Sequence, residues 1–196
     1  MRGNITPWRA VIGSLLAAAC ASGGNTSGPG ETRGAVPDLR GRTVLVLPVQ
    51  LKEGVPDGVT IDEEMAYALQ ARSERVSWVF PADVETILRR SPNVQANFRN
   101  LPVGIFLQAE VNRVGDPLYG EIRRLTTLAG ADVAIIPVQL RYGDDQAYHL
   151  VTALLNPVTG RVYWFATIDG APGPRESPGT LASLADAYSR ALVPLG

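Results

Sequence analysis

Cys20 and His149 are the only cysteine and the only histidine in a chain of 196 residues. A lone cysteine excludes an internal disulfide framework and any multi-cysteine zinc site. A lone histidine excludes a His-rich metal centre. His149 lies in the run Tyr148-His149-Leu150-Val151, where it would fit a Ser–His–Asp arrangement on paper. No serine or orienting carboxylate stands out as its partner, and the plainer expectation is a strand histidine hydrogen-bonded at a sheet edge. Gly-x-Ser-x-Gly, the phosphate loop Gly-x-x-x-x-Gly-Lys and a Gly-x-Gly-x-x-Gly after a strand are all missing. The residues therefore nominate no catalytic group, no cofactor and no metal ligand set.

The acidic clusters have ordinary explanations. Asp62-Glu63-Glu64 stands where a helix begins, and negative charge there complements the helix dipole. Asp144-Asp145 falls in a turn between strands. Two adjacent carboxylates hold calcium weakly at best, because calcium wants 6–8 oxygens and the rest of a binding loop is lacking. Arg89-Arg90 and Arg123-Arg124 read as solvated helix edges. Tyr163-Trp164-Phe165 is the more suggestive group, since it sets large rings on both faces of one strand. With a simple hairpin register Tyr148 lies opposite. If one of those faces is open to solvent, Tyr148, Tyr163, Trp164 and Phe165 are the candidate partner-binding residues. If both faces are covered, they are core.

Composition narrows the classes further. With 18 Lys+Arg against 19 Asp+Glu the net charge is −1, which lacks the basic excess of a nucleic-acid binder. Hydrophobic residues make up 45% and charged residues 19%, values of a globular protein with one core.

The amino terminus reads as an address. Arg2 and Arg9 precede the apolar run Ala10–Ala19. Ten helical residues span about 15 Å, roughly half a bilayer core, which is the size of a signal-peptide core and not of a membrane span. Leu16-Ala17-Ala18-Ala19-Cys20 then resembles a bacterial lipobox, although the usual pattern sets Leu where Ala17 stands. The resemblance implies cleavage before Cys20, lipidation of its thiol and amino group, and, with Ala21-Ser22 and no Asp following, the periplasmic face of the outer membrane. Ala19-Cys20-Ala21 equally satisfies the small-x-small rule of an ordinary secretory signal. Residues 20–41, rich in Gly, Ser and Pro, read as a flexible tether of about 25 Å mean reach.

The folded domain is expected over 42–196. Strands are read at 43–49 and 76–80, and the strongest at 131–140. Two more, 147–156 and 161–168, follow the turns Gly143-Asp144-Asp145 and Asn156–Gly160. Helices are read at 61–72 behind a Thr60/Glu63 capping box, at 81–90, at 117–129 behind Asp116, and at 181–192. Residues 52–59 read as loop. The stretch 91–115 reads as an irregular excursion or as holding a short helix around 107–111. The expected fold is an α/β single-domain sandwich: a mixed sheet ending in a three-stranded antiparallel meander, with helices packed on it.

Three pieces carry a family likeness: the strand Val44-Leu45-Val46-Leu47-Pro48, the junction Leu128-Ala129-Gly130-Ala131-Asp132-Val133-Ala134-Ile135-Ile136, and the turn Asn156-Pro157-Val158-Thr159-Gly160-Arg161-Val162. In this order they resemble the curli-secretion lipoproteins, the penicillin-binding-protein activator lipoproteins of the LpoB type and the amino-terminal domain of TolB. The likeness spans roughly residues 42–169, and Val49-Gln50 follow Pro48 where those families often have Phe. Its motifs are structural, so it implies the fold and a binding or scaffolding role, with an envelope protein as partner and no inherited active site. The expectation is a non-enzymatic, lipid-anchored protein. The competing reading is a small-ligand-binding or hydrolytic lipoprotein with a pocket near 91–115.

Overall fold

The computed structural model describes residues 32–194. Cys20, the apolar leader and the tether as far as Glu31 lie outside them. Among the described residues no helix is long and apolar enough to cross a membrane.

The sheet is organised by its longest strand, β5 (Val133–Tyr142). Its first six residues are all buried, as expected of a strand covered on both faces. β6 (Tyr148–Leu155) and β7 (Val162–Asp169) fold back from it as the expected antiparallel meander. On the other edge of β5 two short strands run parallel to it, β2 (Thr43–Val46) beside its start and β3 (Leu51–Glu53) beside its end. β4 (Ser77–Val79) pairs with β2, and β1 (Arg33–Gly34) with β7. The path reads β1-β7-β6-β5-β2-β4, one open mixed sheet of seven strands.

Helices cover the two faces unequally. On the first face α1 (Ile61–Arg72) and α5 (Pro178–Leu192) pack side by side. They bury Ile61, Met65, Leu69, Leu184 and Tyr188 against Val44, Ile135, Leu150 and Leu154. On the second face α2 (Pro81–Arg90), the one-turn α3 (Ile105–Gln108) and α4 (Leu118–Ala129) cover Leu45, Ala134, Ile136, Ala153 and Phe165. The apolar stripe Leu118, Ile122, Leu125 faces inward as its spacing demands. Gly130 ends α4 at φ 61°, a left-handed stop that glycine adopts without strain.

Several expectations need correction. Residues 33–39, read as tether, take part in the fold, because Arg33–Gly34 pairs with β7 and Leu39 is buried in the core. Residues 52 and 53, read as the start of a loop, form β3 together with Leu51: Pro48 interrupts the ladder and the chain rejoins β5 just beyond it. The short helix of the irregular stretch lies at 105–108 rather than around 107–111. Thr60 makes no side-chain cap. The neighbouring Asp62 carboxylate instead reaches back to accept the Val49 N–H at 2.9 Å, and burial raises its pKa above the ordinary carboxylate value.

Candidate functional site

Strand pairing brings polar residues from four strands into two rows on the second face. Glu53 of β3 lies beside Arg141 of β5, Arg141 opposite His149 of β6, and His149 opposite Asp169 of β7. The next row inward is Leu51, Gln139, Val151 and Thr167. Side chains two residues apart on a strand share a face, so both rows continue the surface that holds Ala153 and Phe165. Helices α2 and α4 stop short of them, and α3 reaches them only through Phe106 and Leu107, within the 91–115 stretch where a pocket was the competing expectation. What remains is a cleft of about 430 Å³ lined by Gln139, Arg141, His149, Thr167 and Asp169, with Val151, Phe165, Phe106 and Leu107 as its apolar part.

His149 is held on both sides. Its Nδ1 lies 2.7 Å from Asp169 Oδ1 and its Nε2 3.0 Å from Asp145 Oδ1. A neutral imidazole donates one hydrogen bond; two carboxylate acceptors call for the imidazolium. Desolvation of the partly covered ring opposes that charge, and the hydrogen bonds to Asp169 and Asp145 outweigh it, so the His149 pKa is raised. The same contact lowers that of Asp145. With both nitrogens engaged by carboxylates, neither is left to take a proton from a hydroxyl, and His149 is not arranged as a triad base. Nor does it sit at a sheet edge, since β6 runs between β5 and β7.

Arg141 differs from the other charges here. It is exposed and makes no ion pair among the described residues. Its row neighbour Glu53 accepts instead from Gln139 Nε2 at 3.2 Å. The Thr167 hydroxyl is buried and has no hydrogen-bond partner among the described residues. The cleft thus offers an unengaged guanidinium beside an apolar floor.

The aromatic candidates fare differently. Tyr148 is fully buried, wedged edge-on against Tyr142 with ring centroids 5.0 Å apart, and its hydroxyl donates to the Arg175 carbonyl at 2.7 Å. Trp164 and Phe165 are buried too, on opposite faces of β7. Pairing outward from the Asn156–Gly160 turn sets Trp164 and Phe165 against Leu154 and Ala153, so Tyr148, at the far end of β6, lies nowhere near them. Only Tyr163 stays partly exposed, its hydroxyl accepting from Asn156 Nδ2 at 2.6 Å. Among the described residues these rings form no open aromatic face: Trp164 packs into the core beneath α1 and α5 and Phe165 into the core beneath α2–α4. Cys20 lies outside the described residues.

The cleft residues Gln139, Arg141, Thr167 and Asp169 went unnoticed in the sequence, because each is an unremarkable polar residue in an apolar strand. The two turns were the available signal. Counting outward from Gly143–Ala147, where the Gly143 N–H donates to the Ala147 carbonyl, brings Arg141 opposite His149.

No family model and no curated protein matches the chain. Among solved structures it is similar to the LpoB C-terminal domain from Salmonella enterica, at 13% identity over 71% of this chain and 88% of that chain, TM-score 0.48. A PelC dodecamer from Paraburkholderia phytofirmans gives 14% identity, 83% and 95% coverage, and a TM-score of 0.43. Lipoprotein GNA1162 from Neisseria meningitidis gives 20%, 75% and 93%, with a TM-score of 0.42. Of the three groups the sequence resembles, the LpoB type is the one represented in these structures. At such values no partner, activity or family membership passes to this chain.

Proposed function

We propose that the protein is a lipid-anchored, non-enzymatic component of the bacterial envelope that binds another envelope protein through the open half of its second sheet face. The observation that carries this reading is the cleft: an unpaired Arg141 next to an apolar floor of Val151, Phe165 and Leu107, with the sole histidine locked between two carboxylates. The chemistry suits an extended polypeptide segment that brings an acidic group to Arg141 and apolar side chains onto the floor. The leader and the lipobox-like Leu16–Cys20 support attachment at Cys20, with the periplasmic face of the outer membrane as the destination. Acyl chains at about 0.8 kcal/mol per buried methylene make such an anchor durable.

Two measurements test the two halves. Labelled palmitate enters the wild type and not Cys20→Ala; equal labelling removes the anchor. Crosslinking in the native envelope followed by pull-down recovers a protein partner with the wild type and loses it with Arg141→Glu, while Tyr67→Ala, on the opposite face, retains it. Recovery of the same proteins with Arg141→Glu removes the cleft from the reading.

A further inference from the structure

At the end of the meander away from the cleft, the Asn156–Gly160 turn brings two arginines together. Arg161, just after the turn, forms an isolated antiparallel bridge with Arg113, from the segment between α3 and α4. The Val114 N–H bonds the Gly160 carbonyl and the Val162 N–H bonds the Asn112 carbonyl, each at 2.9 Å. Bonds on either side of a pair and none within it mark the non-hydrogen-bonded kind, whose Cα atoms lie about 4.5 Å apart with side chains at their closest. Like charges directly opposite are destabilising. The fold nonetheless builds this contact firmly. Gly160, at φ 71°, lets the two backbones meet, since a Cβ there would lie 2.9 Å from the Val114 carbonyl oxygen. The Tyr119 hydroxyl donates to the Val158 carbonyl at 2.6 Å and fixes the turn.

Both arginines are exposed, and neither guanidinium makes an ion pair among the described residues. The acidic residues on either side of Arg113 in the chain are engaged elsewhere: Glu110 pairs with Arg33 at 3.1 Å, and Asp116 accepts the Gly120 N–H at 3.0 Å. Residues 1–31 hold one acidic residue, Glu31. Beside the pair opens a recess of about 310 Å³, lined by Arg161 together with Asn112, Tyr163 and Arg33.

We propose that Arg113 and Arg161 form a binding site for a phosphate-type oxyanion. Each guanidinium is a rigid fork that donates two parallel hydrogen bonds to an oxyanion. A phosphoryl group presents enough unshared oxygens for both forks, whereas one carboxylate is filled by a single fork. The bound anion relieves the repulsion that the bridge imposes, so the cost of placing two cations together is returned when the site is occupied. The same chemistry is carried by the headgroup of an anionic lipid and by a soluble phosphate.

Amide chemical shifts of the full chain in a Cys20→Ser background test the site. Inorganic phosphate moves the amides of residues 112–114 and 160–162 saturably, and chloride at matched ionic strength does not. Arg113→Gln and Arg161→Gln each weaken the apparent affinity about tenfold, the loss of one charge-assisted contact. Without phosphate both variants melt no lower than the parent, because each removes a like-charge contact. Phosphatidylglycerol vesicles that bind the parent more tightly than Arg113→Gln/Arg161→Gln assign the site to a lipid headgroup; equal binding, with the phosphate response intact, assigns it to a soluble phosphate. Absence of a discriminating response to both probes overturns the proposal. So do shifts that chloride reproduces, shifts that survive in both single variants, and shifts that appear only after Glu31→Gln, which give the pair to that carboxylate. Arg141→Glu leaves these readouts unmoved, so the site and the proposed function fail separately.

Discussion

The two faces of the sheet are built from the same strands and finished differently. On the first, α1 and α5 meet strand residues all along the meander, and Tyr148, Leu150, Leu154 and Tyr188 lose all or nearly all contact with water. On the second, α2–α4 cover Ala134, Ile136 and Phe165 and then stop, leaving Gln139, Arg141, His149 and Thr167 around a cleft. One face holds the fold together and the other presents chemistry. Stability and recognition are therefore separable by substitution, a residue at a time.

The largest expected effect is on the closed face. Leu184→Ala removes a fully buried side chain from under α5 and costs about 2–5 kcal/mol in chemical unfolding; Val151→Ala on the cleft floor is expected to cost well under half of that. Equal costs would erase the distinction between the faces. Gly34→Ala comes next. At φ 73° a side chain is strained, and its Cβ would meet the Tyr163 carbonyl oxygen far inside van der Waals contact. Loss of β1 pairing, at about 1–3 kcal/mol, is expected to show as faster amide exchange at Phe165.

A smaller effect concerns His149. Its folded pKa is raised, so its contribution is complete below the unfolded value of about 6.5 and fades as pH rises through the higher folded value. The ring is partly exposed and its carboxylate partners mostly so; the contribution is expected to stay under about 1 kcal/mol. Thermal melts between pH 5 and 9 should show that decline in the wild type and not in His149→Ala; a variant that keeps the slope assigns it to other groups. Smallest of all, Arg141→Ala is expected to change stability by no more than about 0.5 kcal/mol while partner capture falls. A large stability loss would make Arg141 part of the scaffold instead.

The elements were largely legible. β-branched runs, Pro81 at a helix start, Asp116 reaching the Gly120 N–H at 3.0 Å and the Gly130 stop all act locally, so their residues announce them. β3 was hidden because Leu51-Lys52-Glu53 is exposed and polar in part, and becomes a strand only by lying beside the end of β5. The aromatic run left surface and core both open because a strand alone does not reveal what packs on either of its sides.

The sequence by itself determined the address-like leader, the order of the longer strands and helices, the meander and the absence of recognisable catalytic motifs, since periodicity, capping and turn chemistry reside in neighbouring residues. Only the tertiary structure decided the cleft. Its rows depend on two register shifts, one between Pro137 and Gln139 and one between Leu154 and Leu155. Pro137 lacks the N–H a regular ladder uses, but no residue pattern marks where the second shift falls. A slip of one residue turns every side chain to the other face. Without the first, the Gly143–Ala147 turn would still set Arg141 opposite His149, but Gln139 and Arg141 would no longer share a face with Ala134 and Ile136; without the second, counting from the Asn156–Gly160 turn, His149 would not stand opposite Asp169.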